Sequence, residues 1–381
     1  MQSRRRKVGC GRCAPSQSNK AVPPQSPLVS VVLPARNAAA TIARAVESIR
    51  GQTWRDWELI VIDDRSTDGT AEILAKLARE EHRLRVLPGP GGGLVAALNA
   101  GLGEARGEFV ARMDADDESH PERFAEQVCA LQTRPELGLA GSLVEYGGDP
   151  VANAGYALHV DWMNSLVTPE EIALNRFVES PLAHPSVMFR RGLVEEFGGY
   201  RDGDFPEDYE LWLRWLDAGV RMAKVPRVLL TWHDAPARLS RIDARYDPEK
   251  FFRVKAEWVA PWLVGRGLLT PPLGPDERRG RETPPYKRKI FVWGAGRHTR
   301  KRASHLETHG VRIAGYIDVD VKKTGRGVGG TGAPVIAPEQ IPPPGEIFVL
   351  GYVSSRGARE FTRGVLTRRG YREGCDFLMC A

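Results

Sequence analysis

From residue 28 onwards, short apolar runs alternate with stretches of helical periodicity. Leu28–Leu33 is an apolar, β-branched run that ends at Pro34, and Thr41–Arg50 then places its apolar side chains on one helical face. Further strands are predicted at Trp57–Ile62, Leu84–Leu87 and Glu108–Met113, each preceded by a helix-like segment. This alternation predicts an α/β domain in which helices cover both faces of a mostly parallel sheet.

Polar side chains gather directly after three of these predicted strands. The groups are Arg36 with Asn37, Asp63 with Asp64, and Asp114–Asp117. In open α/β sheets, ligands bind outside the carboxyl ends of the strands. We therefore expect these three groups to meet in one shared site.

The remainder of the chain divides into further segments. Residues 270–288 contain five prolines and many charges, which is typical of a linker. A second strand–helix–strand pattern begins at Lys289–Trp293. We predict four segments: a disordered basic tail (1–26), a first α/β domain (27–245), a helical segment and linker (246–287), and a smaller α/β domain (288–381).

The charge of the chain is concentrated in its first residues. Residues 1–26 carry six Lys and Arg and no acid, so they account for the whole formal charge of +6. The neutral remainder predicts no specific nucleic-acid binding, whereas the tail is able to contact anionic lipid weakly. Five cysteines and no apolar run of about 18 residues predict a cytoplasmic protein without a membrane span, within reach of the inner face of the membrane.

The sequence DADD at Asp114–Asp117 is a candidate metal site. It places three carboxylates within four residues after an apolar strand, an arrangement whose repulsion a cation would offset. Carboxylate oxygens suit Mg²⁺ or Mn²⁺, which complete their shells with water and substrate phosphates. The same residues also suit a solvated acidic turn before a helix that begins near Pro121. DADD alone leaves both interpretations open.

Longer motifs add a family resemblance. VSVVLPARNAAATIARAVESIRGQTWRDWELIVIDDRSTDGT, LNAGLGEARGEFVARMDADDESHPERF, HPSVMFRR, GGY and EDYELWLR occur in this order within residues 28–240. Together they resemble the family 2 glycosyltransferases. The resemblance implies a GT-A type, mostly parallel sheet with flanking helices. It also implies an inverting transfer from a nucleotide-diphosphate sugar, with a UDP-sugar favoured, to a hydroxyl acceptor such as a sugar or a lipid-linked glycan. Polysaccharide, lipopolysaccharide or glycoconjugate biosynthesis would be the setting.

The resemblance also implies roles for residues that would bind the donor. Four residues would line the nucleoside pocket: Pro34, Ala35, Arg36 and Asn37. Two carboxylates, Asp63 and Asp64, would meet the base. The DADD residues would be Asp114 near the ribose or first phosphate, Asp116 as ligand of Mn²⁺ or Mg²⁺, and Asp117 close to that ion. His233 would approach the diphosphate or the metal.

The resemblance assigns the chemistry to Glu207 and Asp208, with Asp208 as the general base. Inverting transfer needs a carboxylate that takes the proton of the acceptor hydroxyl, while a metal neutralises the departing diphosphate. In the alternative interpretation, both acids only complement a helix dipole. His184 of HPSVMFRR would face the acceptor, although its alternation with Val187 and Phe189 also suits a strand residue near the core.

The motif FVWGAGRHTRK near the start of the second domain resembles the opening of a Rossmann-type nucleotide-binding unit. Gly294 and Gly296 follow a predicted strand, and Asp318 stands where an acid can accept a ribose hydroxyl. Thr299 occupies the position of the third glycine, and the glycines alone would also make a tight turn. We predict a Rossmann-like accessory domain without catalysis of its own.

Three other functions compete with glycosyl transfer. A sugar nucleotidyltransferase would need a glycine-rich phosphate loop after the first strand, where this chain has PARNAAAT. A non-catalytic nucleotide-sugar-binding or scaffold protein would use the same aspartates without turnover. An NAD-dependent oxidoreductase would be centred on Gly294. The linked motifs favour the glycosyltransferase.

Overall fold

The computed structural model describes residues 27–234, 238–269, 288–325, 327–328, 332–355 and 357–381. The basic tail, and residues 270–287 of the predicted linker, lie outside these described residues. Within the described part, no helix is long and apolar enough to cross a membrane.

The first sheet has eight strands in the described part of the chain. They are β1 (Val29–Ala35), β2 (Trp57–Asp63), β3 (Leu84–Pro88), β4 (Phe109–Arg112), β5 (Glu118–Ser119), β6 (Leu137–Tyr146), β7 (Met188–Arg190) and β8 (Arg221–Trp232). Their order across the sheet is β3-β2-β1-β4-β7-β6-β8-β5. Strands β1 to β4 are parallel where they pair, whereas β7 runs antiparallel to both β4 and β6.

The helices that accompany this sheet are α1 (Ile42–Arg50), α2 (Thr70–Glu80), α3 (Leu94–Glu104), α4 (Arg123–Thr133), α5 (Ala154–Ser165), α6 (Pro169–Asn175), α7 (Gly192–Phe197), α8 (Glu207–Asp217) and α9 (Leu239–Ile242). They cover both faces because successive residues of a strand point to opposite sides. Val31 of β1 packs in one core with Val46 of α1, and Val32 packs in another with Leu98 of α3.

Strand β1 extends through Pro34, although the sequence predicted that the strand would end there. Its pairing with β4 stops at Val32, while its pairing with β2 continues to Ala35. Val32 accepts a hydrogen bond from Met113 on the β4 side, and Ala35 accepts one from Asp64 on the β2 side. Pro34 therefore faces the side on which β4 has already ended, so its missing N–H interrupts no pairing.

The second sheet is smaller and entirely parallel. Its strands are β9 (Lys289–Trp293), β10 (Ile313–Ile317), β11 (Val335–Ile336), β12 (Ile347–Gly351) and β13 (Phe377–Met379), and its helices are α11 (Arg297–Thr308) and α12 (Ala358–Arg368). The order β11-β10-β9-β12-β13 is third, second, first, fourth and fifth in the chain, as in doubly wound nucleotide-binding folds. The predicted fold class, a large mostly parallel sheet followed by a smaller α/β domain, is confirmed, whereas the predicted domain boundaries stay a prediction.

Helix α10 (Pro248–Gly265) joins the two sheets. The helix begins where the Asp247 carboxylate accepts from the Glu249 N–H, and it continues past Pro261. One apolar core contains Tyr209 of α8, residues of α10 and Tyr352 beyond β12. Residues of both domains also line one cleft.

Candidate active site

The carboxyl ends of β1 and β4 open into a cleft of about 1260 Å³. Ten residues predicted for the site line it: Pro34, Ala35, Arg36, Asn37, Asp64, Asp114, Asp116, His184, Glu207 and Asp208. Asp63, Asp117 and His233 lie outside its lining, as do Gly294, Gly296 and Asp318 of the second domain. Members of all three strand-end groups therefore line one cleft, as the sequence predicted from the alternation of strands and helices.

The loop after β1 is fastened to the loop after β2. Asn37 has a φ of 52°, in the left-handed region, and its side-chain oxygen accepts from the Thr67 N–H at 2.8 Å. The Asp63 carboxylate accepts from the Ser66 N–H at 3.1 Å. Asp63 thus stabilises the turn that holds Asn37, while Arg36 and Asn37 are exposed at the edge of the cleft.

Asp64 forms a wall of the cleft together with a glycine turn. Its side chain is 3% exposed, and its two oxygens accept from the Gly91 N–H at 2.7 Å and from the Gly93 N–H at 3.1 Å. Both glycines have φ near 80°, where a side chain would be strained. Asp64 therefore shapes the pocket by holding this turn, and its contact with a base stays a prediction.

We expect Asp64→Ala to weaken the binding of UDP about tenfold or more, because the N–H groups of Gly91 and Gly93 lose their acceptor and the turn moves. Calorimetric titration with UDP measures the effect, and kcat should change less than affinity. Asp68→Ala is the matched control, since Asp68 also accepts from backbone N–H groups but does not line the cleft. Unchanged affinity in Asp64→Ala would remove Asp64 from the pocket.

The DADD segment forms a cluster of three carboxylates. Asp114, Asp116 and Asp117 can each offer one oxygen such that all three lie within 4.8 Å of one another. Asp117 is fully buried, with one oxygen accepting from the His233 N–H at 2.9 Å and the other without a hydrogen-bond partner. This buried oxygen has no hydrogen-bond partner and lies close to carboxylate oxygens of Asp114 and Asp116. Such an arrangement fits a divalent cation such as Mg²⁺ or Mn²⁺.

The surroundings of this cluster act on its charge. Burial, with the negative charges of Asp114 and Asp116, raises the pKa of Asp117 well above its ordinary value. Burial and Asp114 also raise the pKa of Asp116. The positive charge of Arg238 favours the ionised carboxylates, since its guanidinium lies 3.8 Å from Asp114 and 4.0 Å from Asp117. Arg112 forms a further ion pair with Asp114. A divalent cation would offset the remaining repulsion.

His233 follows β8 and touches the cluster through its backbone. Its N–H donates to Asp117, while its Nε2 lies 3.4 Å from a carboxylate oxygen of Glu118. Among the described residues, the group able to hold a metal consists of the three aspartates. A role of the His233 imidazole as a ligand stays a prediction.

Glu207 and Asp208 are the first two residues of α8. The Tyr246 hydroxyl lies 2.9 Å from both oxygens of Glu207, which is 2% exposed, and Arg245 lies 4.0 Å away. One oxygen of Asp208 accepts from the neighbouring Tyr209 N–H at 2.7 Å. Burial and the charge of Glu207 raise the pKa of Asp208 to about 8. A carboxylate with a pKa near neutrality is suited to take a proton.

The alternative role of Glu207 and Asp208, which is to complement the helix dipole, agrees with their position but not with their hydrogen bonds. Both stand in the first turn of α8, where the helix dipole favours negative charge. However, the N-cap residue is Pro206, and no side chain caps this helix. Asp208 bonds the N–H of the next residue only. Asp208 also lines the cleft, which a residue that only caps the helix would not need to do.

His184 lies in a short turn, His184–Ser186, before β7, rather than in the strand that its sequence pattern suggested. Pro185, which directly follows His184, lies within this turn. His184 Nε2 lies 2.7 Å from the Tyr200 hydroxyl, and burial lowers the pKa of His184 well below its ordinary value. This imidazole is therefore neutral at physiological pH and fixed by Tyr200, a residue of the GGY motif.

The glycine turn of the second domain is closed by its own side chains. Asp318 accepts from the Ala295 N–H at 2.8 Å and the Asp320 N–H at 2.9 Å, and lies 3.1 Å from the Lys323 ammonium. Gly294 has a φ of 109°, and an added Cβ would lie 2.9 Å from Thr299. These contacts favour the interpretation that the glycines make the turn, and nucleotide binding by this domain stays a prediction.

Sequence reasoning missed the residues that contact Glu207 and Asp114. Tyr246 and Arg245 lie in the turn Ala244–Tyr246, nearly 40 residues after Glu207, and no motif marks them. Arg112 is buried within β4, where its ion pair with Asp114 could not be read from the pattern. Residues 238–246 contain three arginines and one tyrosine, and this basic composition is the signal available at that point.

Comparison with known proteins shows the family to which this chain belongs. The model of Glycosyl transferase family 2 matches residues 30–198. EpsE of Bacillus subtilis (strain 168), described by its name as a glycosyltransferase, is 32% identical over 201 residues, which is 51% of this chain and 69% of EpsE. The chain belongs to the family 2 glycosyltransferases.

Two further relatives of this family 2 member extend the comparison. The amylovoran biosynthesis glycosyltransferase AmsE of Erwinia amylovora is 29% identical over 194 residues, covering 50% of this chain and 69% of AmsE. The crystal structure of S. aureus TarS in complex with UDP-GlcNAc is 22% identical with a TM-score of 0.49, covering 62% of this chain and 66% of that chain. The region that the family model matches, residues 30–198, includes the DADD cluster and ends before Asp208.

Proposed function

We propose that this chain transfers a sugar, with inversion, from a nucleotide-diphosphate sugar to a hydroxyl acceptor during polysaccharide assembly. The observation that supports it best is that Asp114 and Asp116 line the same cleft as Asp208. One end of the cleft is thereby suited to a metal-bound diphosphate and the other to proton removal. AmsE, a relative named as an amylovoran biosynthesis glycosyltransferase, supports this setting.

In this proposal the donor lies across the carboxyl ends of the first sheet. The loop after β1 and the turn held by Asp64 bind the nucleoside. Asp114, Asp116 and Asp117 hold Mn²⁺ or Mg²⁺, which, when bound, neutralises charge that develops on the diphosphate. Arg238 adds a positive charge 3.8 Å from Asp114.

The transfer itself is assigned to Asp208. Its carboxylate takes the proton of the acceptor hydroxyl while the hydroxyl oxygen bonds to the anomeric carbon. The bond from that carbon to the diphosphate oxygen breaks on the opposite face, and its electron pair leaves with the nucleoside diphosphate. Glu207 positions Asp208 and keeps its proton affinity high, while Tyr246 holds Glu207 in place.

A nucleotide-release screen tests the function. The full chain is incubated with UDP-, GDP- and dTDP-sugars in Mn²⁺, Mg²⁺ or EDTA, with and without saccharide acceptors. We expect release from a UDP-sugar that an acceptor stimulates and EDTA removes, and NMR of the product should show an inverted anomeric centre. Tight nucleotide binding without product from any donor would instead favour a non-catalytic nucleotide-sugar-binding protein.

A further inference from the structure

His184 and Tyr200 form a buried pair at the wall of the cleft. His184 is 8% exposed and lines the cleft, and its Nε2 lies 2.7 Å from the Tyr200 hydroxyl. The two rings also contact each other, with centroids 5.3 Å apart. Among the described residues, neither the imidazole nor the hydroxyl has another hydrogen-bond partner. The direction of this one hydrogen bond therefore decides what the imidazole offers to a ligand in the cleft.

Tyr200 is held in place through its main chain. The Asn99 side chain of α3 accepts from the Tyr200 N–H at 3.0 Å and donates to the Tyr200 main-chain oxygen at 2.8 Å. Gly199 approaches the same side chain so closely that an added Cβ would lie 2.6 Å from Asn99 Oδ1. Glycine is therefore needed before Tyr200 in the GGY motif. Tyr200 is thus fixed by contacts that leave its hydroxyl free to bond His184.

The pair lies next to the turn of α8 that carries Asp208. The His184 ring packs edge-on against the Trp212 ring, with centroids 5.9 Å apart and planes at 75°. Trp212 follows Asp208 by four residues in α8, and residues at this spacing are neighbours on one helix face, about 5–6 Å apart. Both His184 and Asp208 line the cleft. The imidazole therefore faces the cleft close to the proposed general base.

The hydroxyl hydrogen of Tyr200 has one acceptor within the described part of the chain. Burial, with the negative charge of Asp208, raises the pKa of Tyr200, so the hydroxyl keeps its hydrogen at neutral pH. His184 Nε2 is the acceptor in reach. If Nε2 carried a hydrogen instead, the Tyr200 O–H would be buried without an acceptor, which is unfavourable. The hydrogen-bond network therefore assigns the hydroxyl as donor and Nε2 as acceptor.

This assignment places the imidazole hydrogen on Nδ1. Burial, with the positive charge of Arg112, lowers the pKa of His184 well below its ordinary value, so the ring carries a single hydrogen at neutral pH. Nδ1 bonds no described residue, yet it is not among the buried side-chain atoms without a partner, so it is accessible from the cleft that His184 lines. A ligand at this wall therefore meets an N–H donor.

We propose that the Nδ1–H of His184 donates to an oxygen of the acceptor sugar that neighbours the attacking hydroxyl. The attacking hydroxyl gives its proton to Asp208, and a donor aimed at that same oxygen would weaken it as a nucleophile. Tyr200 is the positioning residue, since its O–H fixes the tautomer of His184. The inference rests on the proposed function, and it selects acceptors with an oxygen beside the attacking hydroxyl, as in a vicinal diol.

The tautomer of His184 is measurable without turnover. Histidine-selective ¹⁵N labelling of the full chain, with NMR correlation of the ring nitrogens to the carbon-bound ring protons, reports which nitrogen carries the hydrogen. We expect the His184 signals, identified by their loss in His184→Gln, to show a protonated Nδ1 and an unprotonated Nε2 at neutral pH. If that variant does not fold, Tyr200→Phe identifies the same signals, because it removes their hydrogen bond. A hydrogen on Nε2, or on both nitrogens, would overturn the assignment.

Acceptor kinetics test the contact itself. The probes are the saccharide acceptor found in the nucleotide-release screen and its monodeoxy analogues, each of which lacks one hydroxyl. For the wild type we expect the analogue without the oxygen beside the attacking hydroxyl to have an about tenfold lower kcat/KM, the effect of one lost hydrogen bond. His184→Gln can still accept from the Tyr200 O–H but has no donor at the position of Nδ1. It should show the same loss with the full acceptor and no further loss with that analogue.

A structural role of His184 predicts a different result. The losses from His184→Gln and from the missing hydroxyl would then multiply, because a general disturbance of the site does not depend on one acceptor oxygen. Such independence for every monodeoxy analogue would contradict the proposed contact.

His120→Gln is the matched control. His120 Nε2 also lies against a hydroxyl, that of Thr231 at 3.0 Å, but this histidine does not line the cleft. The variant should keep the wild-type kcat/KM with both the acceptor and the analogue. If no donor turns over, the proposed function fails, and the NMR measurement still reports the tautomer. If donors turn over but His184→Gln and the missing hydroxyl act independently, this inference alone fails.

Discussion

Asp208→Asn is expected to lower sugar transfer by about a hundredfold or more, the usual scale for loss of a general base. The amide cannot take the acceptor proton, yet it keeps the shape of the side chain and can still accept from the Tyr209 N–H. Donor affinity should therefore stay within about twofold of the wild type, since the substitution leaves the DADD cluster intact. Calorimetry with UDP and a transfer assay on the same sample measure both quantities.

The pH dependence of this reaction follows from the raised pKa. Only the ionised carboxylate accepts a proton, so kcat/KM of the wild type should rise as pH increases through about 8. Since the charge of Glu207 contributes to this pKa, Glu207→Gln should move the rise to lower pH. A wild-type profile that is flat from pH 6 to pH 9 would contradict the assignment of Asp208.

The same residue links stability to pH. Its pKa is about 8 in the folded chain and about 3.9 in an unfolded one, so the folded state binds more protons between these values. Stability from this group is complete below the unfolded pKa and is lost as pH rises through the folded pKa. Asp208→Asn removes that loss, so its melting temperature should exceed that of the wild type at pH 9 but not at pH 4.

A control on the same helix separates catalysis from a helix-dipole role. Asp217 ends α8 and is exposed, so Asp217→Asn changes the charge of the helix without reaching the cleft. It should leave transfer unchanged. If Asp208→Asn also transferred sugar normally with normal donor binding, the general base would have to be another residue.

Local sequence patterns predicted the strand ends well because apolar runs end where polar residues begin. The groups at Arg36, Asp64 and Asp114 were placed together from this alternation and a general rule about parallel sheets. The structure brings all three to one cleft. The strand ends could be predicted because they depend on residues close in the chain, and their meeting at one site because parallel sheets share a common topology.

Contacts between distant segments could not be predicted in the same way. The hydrogen bond from His233 to Asp117 joins residues 116 positions apart, and Tyr246 reaches Glu207 across 39. Such pairs depend on how whole helices and strands pack, which one sequence does not encode as a local pattern. For the same reason the second domain was predicted as an accessory unit, although its Arg359 lines the same cleft as Asp208.

Asp116→Asn is expected to remove the metal dependence of the enzyme and most of its turnover. A neutral amide is a poorer ligand for a hard cation, and loss of several kcal/mol of charge stabilisation corresponds to about a hundredfold or more in rate. The Asp116 side chain accepts from its own main-chain N–H, and Arg44 donates to the Asp116 main-chain oxygen at 2.8 Å, so no contact of the side chain with another described residue is lost. The substitution should therefore leave the fold intact.

Thermal unfolding gives a readout that does not depend on turnover. A ligand that binds the folded state alone raises the melting temperature, so Mn²⁺ with UDP should stabilise the wild type and have little effect on Asp116→Asn. Without metal, the variant should be at least as stable as the wild type near neutral pH. Burial and Asp114 raise the pKa of Asp116, so the ionised carboxylate costs stability as pH rises through that pKa, and Asn does not.

Glu122→Gln provides the matched control for this metal site. Glu122 is an exposed acid between the DADD turn and α4, and it makes no capping hydrogen bond. The variant should keep both the Mn²⁺ response and turnover. The alternative interpretation of DADD as a solvated acidic turn predicts instead that Asp116→Asn and Glu122→Gln behave alike and that EDTA leaves wild-type activity intact. Because the unpartnered, buried oxygen of Asp117 has no role in such a turn, we expect the two variants to differ.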